Sequence, residues 1–449
     1  MSPYIAPPPE KSPLPIFEGL DGDSYRAFVN AIEVAPRGKY RHWDNLRQLK
    51  PPNGLTSEQW WAAVKFARQP LFRRLPLKDE EGQKFVFTMP DEALEALHFI
   101  DQHASGEIAM PEVVTADQAA KKHYLVNSFI EEAIRSSQLE GATTSRIVAK
   151  EMIRSGRQPK DRSEQMILNN YRALQFMHEE IGDELTPGLV LELQRILTED
   201  TLDNPDAAGR LQTPDDERVG VFDSRDGSLV HKPPPADQLP DRLSALCAFA
   251  NGEDAVDGFL HPVVRAILIH FWLAYDHPFE DGNGRTARAL FYWSMKAQGY
   301  WLAEYLSISR ILRQAPSKYG NSFVYTETDD RDTTYFILYQ LDVFRRAINE
   351  LHEYLQRKIL EVRSFESIIK GAANFNYRQL ALLRNAIREP HQRYTFRSHS
   401  LSHNVTRQTA RTDLLALVAG GLLNRKKVGR QYVFVPTEGL ADRLGVLSY

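Results

Sequence analysis

Apolar positions recur at helical spacing through most of this chain. From about Ala116 to Arg154, Leu125, Phe129, Ala133 and Ile134 fall on the period of an amphipathic helix. The same pattern predicts helices over Ser163–Glu180, Pro187–Thr198, Leu239–Asn251, Pro262–Tyr275 and Arg285–Gln298. Strand-like patterns are few. Lys84–Thr88 (KFVFT), flanked by Gly82 and Pro90, reads as one strand. Val219, Gly220, Val221 and Phe222, then Asp226-Gly227, then Leu229, Val230 and His231 read as a hairpin, because Asp-Gly supplies the positive φ of a tight turn. Pro233, Pro234 and Pro235 end it. Near the C-terminus, residues 377–388 and Thr406–Val418 predict two helices, followed by strands over Leu422–Lys427 and Gln431–Val435. The chain reads as mainly α.

Composition sharpens the division into parts. The 449 residues are 42% hydrophobic and 25% charged, the balance of an ordinary globular chain of two to four domains. Residues 1–20 hold Pro3, Pro7, Pro8, Pro9, Pro13 and Pro15, which predicts an extended, poorly packed leader. Residues 21–115 hold Trp43, Trp60 and Trp61, half of the six tryptophans, which marks them as core candidates of an N-terminal domain. From residue 371 onward twelve basic residues face four acidic ones. That balance of +8, in a chain whose net charge is −4, leaves −12 on residues 1–370 and predicts a domain boundary near 370. The overall charge is too slight for a nucleic-acid-coating protein. The single cysteine, Cys247, excludes a disulfide framework and a multi-cysteine zinc site. The N-terminus lacks the basic-then-apolar order of a secretory signal, and the most apolar window, Val263–Tyr275, is too short for a bilayer span. The expectation is a soluble protein of a reducing cytoplasm.

Chemistry concentrates in one string, His277-Pro278-Phe279-Glu280-Asp281-Gly282-Asn283-Gly284-Arg285-Thr286-Ala287-Arg288, which joins two predicted helices. Gly282 and Gly284 permit a tight turn and close approach to a ligand. The helix opening near Arg285 aims its free N–H groups and positive dipole end at the loop, a ready anion site. Arg285 and Arg288, three apart, lie on one helix face and offer two planar cationic forks for phosphate. Asp281 is a hard oxygen ligand for Mg²⁺, and His277 is a candidate general base near neutral pH. The string lacks the Gly-Lys-Ser/Thr ending of a P-loop.

Every fixed position of this string matches the signature of the Fic family, His-Pro-Phe-x-Asp/Glu-Gly-Asn-Gly-Arg-x-x-Arg, which it resembles throughout. Leu260-His261-Pro262, the Pro233–Pro235 run and Asp332-Thr333-Thr334-Tyr335 fit as well. The resemblance implies a helical Fic core within 116–369 carrying a β-hairpin flap, and transfer of AMP from ATP, with Mg²⁺, to a hydroxyl of a target protein or of the chain itself. It implies that His277 is the base, Phe279 the apolar anchor and Asp281 the metal ligand. Gly282, Asn283, Gly284 and Arg285 would receive the inner phosphates, and Arg288 would clamp the γ-phosphate. Some relatives transfer phosphate or phosphocholine through divergent signatures; the presence of Gly284 and Arg288 favours AMP. The hairpin at 219–231 resembles the family's flap, which pairs with an extended target segment.

By spacing alone Ser136, Glu140 and Gly141 are one helix turn and its end. Within a Fic protein, Ser136-Ser137-Gln138-Leu139-Glu140-Gly141 resembles the inhibitory motif Ser/Thr-x-x-x-Glu-Gly/Asn of the subgroup with an N-terminal inhibitory helix, here 131–145. That resemblance implies a Glu140–Arg288 ion pair blocking the γ-phosphate site. In some relatives the same glutamate aligns a water that removes AMP, so transfer, removal or both stay open. Several relatives dimerise, which makes a homodimer an expectation of the same kind. Residues 371–449 resemble a winged helix-turn-helix domain, with Thr406, Arg407, Gln408 and Arg411 heading the recognition helix and Arg425, Lys426, Lys427 and Arg430 on the wing near phosphates. Such domains bind DNA or dock proteins. The competing function class is therefore a DNA-binding regulator whose Fic core senses ATP without turnover.

Overall fold

The computed structural model describes residues 5–9, 21–104, 118–179, 182, 184–218, 220–222, 229–253, 256, 258–371, 375–390, 392–403, 405–428 and 431–444. Two compact units divide between Leu351 and His352, within the long Thr334–Gly371 helix. The boundary expected from charge falls at the end of that same helix.

The first unit is built around two consecutive helices, Pro262–Asp276 and Asn283–Ala297, buried on nearly every side. Their burial explains the apolar window of the sequence: Val263, Ile267, Leu268, Phe271 and Trp272 face neighbours all round. Around this pair stand Gln118–Leu139, Arg162–Glu179, Pro187–Thr198 and Leu239–Asn251. The helical pattern expected from 116 to 154 is broken into Gln118–Leu139 and Arg146–Ser155. Gly141, at φ 94, turns the chain, and Ser145 then caps the next helix by accepting from Val148 N. The helix bearing Ser136 thus ends at Leu139, and the expected span 131–145 is corrected accordingly.

Residues 21–104 pack into this same unit. Trp43, Trp60 and Trp61 are core residues beside Phe28 and Leu46. The strand foreseen at 84–88 is Lys84–Phe87, and its partner Arg73–Lys78 was not legible in the sequence. Phe85 of this ladder stacks edge-on against Phe271 and Tyr275. The expectation of a poorly packed leader is corrected for residues 5–9: Ala6 donates its N–H to Asp44 and packs on the tryptophan core. The rest of the leader lies outside the described residues.

Val221–Phe222 and Leu229–His231 pair antiparallel, Val221 opposite His231 and Phe222 opposite Leu229. Val219 and the Asp226-Gly227 turn lie outside the described residues. In the second unit Tyr377–Arg388, Phe396–His403 and Arg407–Ala419 are helical, and Leu423–Val428 pairs antiparallel with Gln431–Pro436. Its core is Leu382, Leu383, Leu414, Leu417 and Phe434. Asp413 is buried and accepts from Arg378, Asn376 and His399, tying the three helices together. The Phe396–His403 helix (FRSHSLSH) was missed because so few apolar residues give it no period.

No helix among the described residues is long and apolar enough to cross a membrane.

Candidate active site

The loop begins where the Pro262–Asp276 helix stops. His277 donates its N–H to Leu273 O and takes φ 43, ψ 55, a left-handed C-cap. For a residue other than glycine this conformation costs about 1–2 kcal/mol and needs surrounding support. Phe279 supplies it by complete burial. Asn283 closes the loop, its Oδ1 accepting from Phe279 N at 2.9 Å and its Nδ2 donating to Phe279 O at 2.8 Å. The same Nδ2 lies 3.3 Å from His277 Nδ1 and orients the imidazole. The Asn283 side chain therefore shapes the loop, and its contribution to an anion site is its backbone N–H in the first turn of the Asn283–Ala297 helix.

The glycines answer to close contacts. A Cβ on Gly282, at φ 86, would meet Thr198 Cγ2 at 3.0 Å. A Cβ on Gly284 would sit 2.3 Å from Glu140 Oε1 and 3.0 Å from Arg288 Nη1.

The two arginines part company. Arg285 is wholly buried, donating from Nη1 to Leu197 O at 2.9 Å and from Nη2 to Asp281 Oδ2 at 3.0 Å. Arg288 turns toward the end of the Gln118–Leu139 helix. Its Nε donates to Ser136 Oγ at 2.9 Å, and its Nη2 to Ser136 O at 3.1 Å and Glu140 Oε1 at 2.8 Å. The expectation of two forks side by side is thus corrected: each arginine is held by a different helix end. Burial works against the Arg288 charge, yet the carboxylates of Glu140 and Glu132 hold its pKa above the ordinary arginine value. Tyr319, half-buried nearby, hydrogen-bonds His270 Nε2 at 2.8 Å. Burial, with the Arg288 cation close by, pushes the His270 pKa down to about 3, so the ring is neutral.

Asp281 keeps one third of its side chain exposed, and its Oδ1 accepts from Gly282 N. A lone accessible carboxylate at a helix N-terminus fits a magnesium ion that arrives with a polyphosphate, since such ions take one or two protein carboxylates and complete their shell with phosphate and water. Among the described residues no cluster of three or more histidine, cysteine or carboxylate ligands exists.

Several contacts that shape the loop escaped the sequence reading, which had placed His231 in the hairpin but named no partner for it. Arg218 donates to Asp276 O at 2.9 Å, to His277 O at 3.1 Å and to Gln212 Oε1. Arg242 pairs with the buried Asp276 carboxylate, which also accepts from Trp272 Nε1. His231 reaches Tyr275 O at 2.6 Å and Glu327 Oε2 at 2.8 Å. His231 carried the hairpin signal, and His270 was marked as a polar residue inside an apolar run. In the second unit Thr406 caps the Arg407–Ala419 helix, and Arg407, Gln408, Arg411, Lys426 and Lys427 are exposed. Arg425 lies over the Tyr432 ring, and Arg430 falls outside the described residues.

Comparison with known proteins bears on this loop. Residues 184–295 match the sequence model of the Fic/DOC family. The protein adenylyltransferase Fic of Nematostella vectensis is 28% identical over 176 residues, 38% of each chain. That of Drosophila grimshawi is 25% identical over 294 residues, 63% of this chain and 55% of its own. The chain thus spans less than two thirds of these curated relatives. A crystal structure of a Fic family protein from Desulfovibrio desulfuricans G20 superposes with a TM-score of 0.50 at 19% identity, covering 77% of this chain and 95% of that one. At that identity the likeness concerns the fold. The stretch from 184 to 295, which contains the whole loop from His277 to Arg288, is the part of the chain similar to the Fic/DOC family.

Proposed function

We propose that this chain is a protein adenylyltransferase, transferring AMP from ATP to a serine, threonine or tyrosine hydroxyl and restrained by Glu140. The observation that carries the reading is the 2.8 Å contact between Glu140 and the buried Arg288 fork. A carboxylate and a terminal phosphate compete for one guanidinium, so the same atom pair marks both the phosphate clamp and its brake. In this reading His277 takes the proton of the target hydroxyl. The oxygen then bonds the α-phosphorus as the bond to the leaving pyrophosphate breaks. The N–H groups opening the Asn283–Ala297 helix neutralise charge on the inner phosphates, the kind of positioning on which phosphoryl chemistry depends. Asp281 would hold Mg²⁺, which supplies further charge neutralisation when bound. Arg285 keeps Asp281 aimed into the loop.

The test is incubation with labelled ATP and Mg²⁺. Wild-type protein should label itself or a target weakly, and Glu140→Gly strongly. Equal labelling of the two would refute the brake, and no labelling by either would refute the transferase reading. Release of AMP from a modified target by the wild type, lost in Glu140→Gly, would move the reading to removal of AMP.

A second reading concerns the second unit alone. Its helices and terminal hairpin suit a winged helix fold, and the exposed Arg407, Gln408 and Arg411 beside Lys426 and Lys427 suit nucleic-acid phosphates.

A further inference from the structure

Helix C-termini leave their last carbonyls without intrahelical donors, and cationic donors are favoured there. At the end of the Pro262–Asp276 helix three successive carbonyls are taken by two residues that bracket the short hairpin. His231, the last residue of the second strand, reaches Tyr275 O at 2.6 Å through Nε2. Arg218, just before the first strand, donates to Asp276 O at 2.9 Å and His277 O at 3.1 Å. Its Nε also donates to Pro234 O at 2.9 Å, beyond the second strand.

The second nitrogen of His231, Nδ1, lies 2.8 Å from Glu327 Oε2 in the Pro316–Thr328 helix. Both ring nitrogens thus face acceptors. Both can donate only if the ring is an imidazolium. The groups around it favour that state: Glu327 from one helix and Asp276 from the other outweigh the effect of burial, and its pKa lies above the ordinary histidine value. The Tyr275 ring packs against it at 4.6 Å between centroids. The phosphate-side residues Gly282, Gly284 and Arg288 share none of these bonds.

We propose that Arg218 and His231 are positioning residues that fix the register between the hairpin, as the edge receiving a target segment, and His277, so that hydroxyl and base meet at one separation. The words target and base rest on the transferase reading; the tie itself does not, and it is measurable without turnover.

The experiment uses the full chain with His231→Gln, Arg218→Lys and Arg218→Gln, each also in the Glu140→Gly background. Hydrogen exchange of peptides covering 229–231 and 275–280 should accelerate about tenfold in His231→Gln and Arg218→Gln, as loss of a charge-assisted bond implies. Arg218→Lys, which retains the charge and a single donating nitrogen, should recover part of the protection. ATP affinity by calorimetry should stay within about twofold, while any transfer shows lower kcat/KM for the target with KM for ATP unchanged. After correction for intrinsic rates, wild-type protection should fall as pH rises through the raised His231 value, and His231→Gln should lack that step.

Unchanged exchange in folded variants would overturn the proposal. So would a loss of ATP affinity as large as the loss of protection, because the pair would then be general scaffolding. If Arg218→Gln fails to fold, His231→Gln decides alone. A loosened hairpin in a Glu140→Gly protein that never transfers AMP would uphold the tie and refute the transferase reading.

Discussion

Replacing Glu140 by glycine has two consequences of opposite sign, and their sizes follow from the geometry. The carboxylate meets one nitrogen of Arg288 at 2.8 Å, with Arg288 2% exposed and Glu140 31% exposed. A charge-assisted hydrogen bond contributes roughly 1.5–3 kcal/mol, and partial exposure of one partner pulls this down to about 1–2 kcal/mol. Arg288 is not stranded by the change, because Ser136 Oγ and Ser136 O still accept from it at 2.9 and 3.1 Å. Residue 140 lies past the end of its helix at Leu139, so glycine adds little helix penalty. The nucleotide-free variant should therefore melt a few degrees lower than wild type at most.

In the proposed reading a terminal phosphate displaces the same carboxylate to reach Arg288. The roughly 1–2 kcal/mol lost from the resting protein should reappear as a 5- to 30-fold gain in affinity for a triphosphate. ADP, lacking the γ-phosphate, should gain much less. The assay is calorimetric affinity for a non-hydrolysable ATP analogue and for ADP with Mg²⁺, paired with melting curves of both proteins. The expected pattern is a variant less stable alone and more strongly stabilised by the triphosphate. An ATP-to-ADP affinity ratio identical in wild type and variant would refute the competition, whatever the melting temperatures do.

Three further outcomes are expected. Gly284→Ala should destabilise the wild type more than the Glu140→Gly variant, with a coupling of about 1 kcal/mol in denaturant titrations, because the added Cβ would lie 2.3 Å from Glu140 Oε1. His277→Ala in the Glu140→Gly background should lose transfer, followed by mass spectrometry, while retaining ATP affinity within a few-fold. Full-length protein should bind duplex DNA with affinity that falls steeply between about 50 and 200 mM salt, and substituting Lys426 and Lys427 by glutamine should flatten that slope.

The sequence made the loop legible because its chemistry is local. Six residues from His277 to Gly282 turn the chain between two apolar runs, and the resemblance it carries implies roles for His277, Phe279, Asp281 and Gly282. Helix boundaries at Pro187–Thr198 and Leu239–Asn251 were equally readable, since proline opens both and their apolar period is clean. What stayed hidden is long-range. Arg218, Arg242, His231 and Glu327 lie 35 to 59 positions from His277 in the chain, and single-sequence periodicity says nothing about which of them meet.

The different surroundings of Arg285 and Arg288 have a physical cause. Spacing of three places two residues on neighbouring rows of an isolated helix, which suggests one shared ligand face. The Asn283–Ala297 helix has no such single face, because neighbours surround it, and each arginine goes to the nearest unsatisfied carbonyls. Arg288 takes Ser136 O at the end of one helix, and Arg285 takes Leu197 O at the end of another. Arg218 does the same at Asp276 O. The loop is thus walled by three helix C-termini, each capped by a guanidinium. Beside its backbone carbonyl each of the loop's two arginines also holds a partly exposed carboxylate, Glu140 for Arg288 and Asp281 for Arg285. In the proposed competition a phosphate would take the place of Glu140 at Arg288, while Arg285 would keep both the Leu197 carbonyl and the Asp281 carboxylate that is to hold the metal.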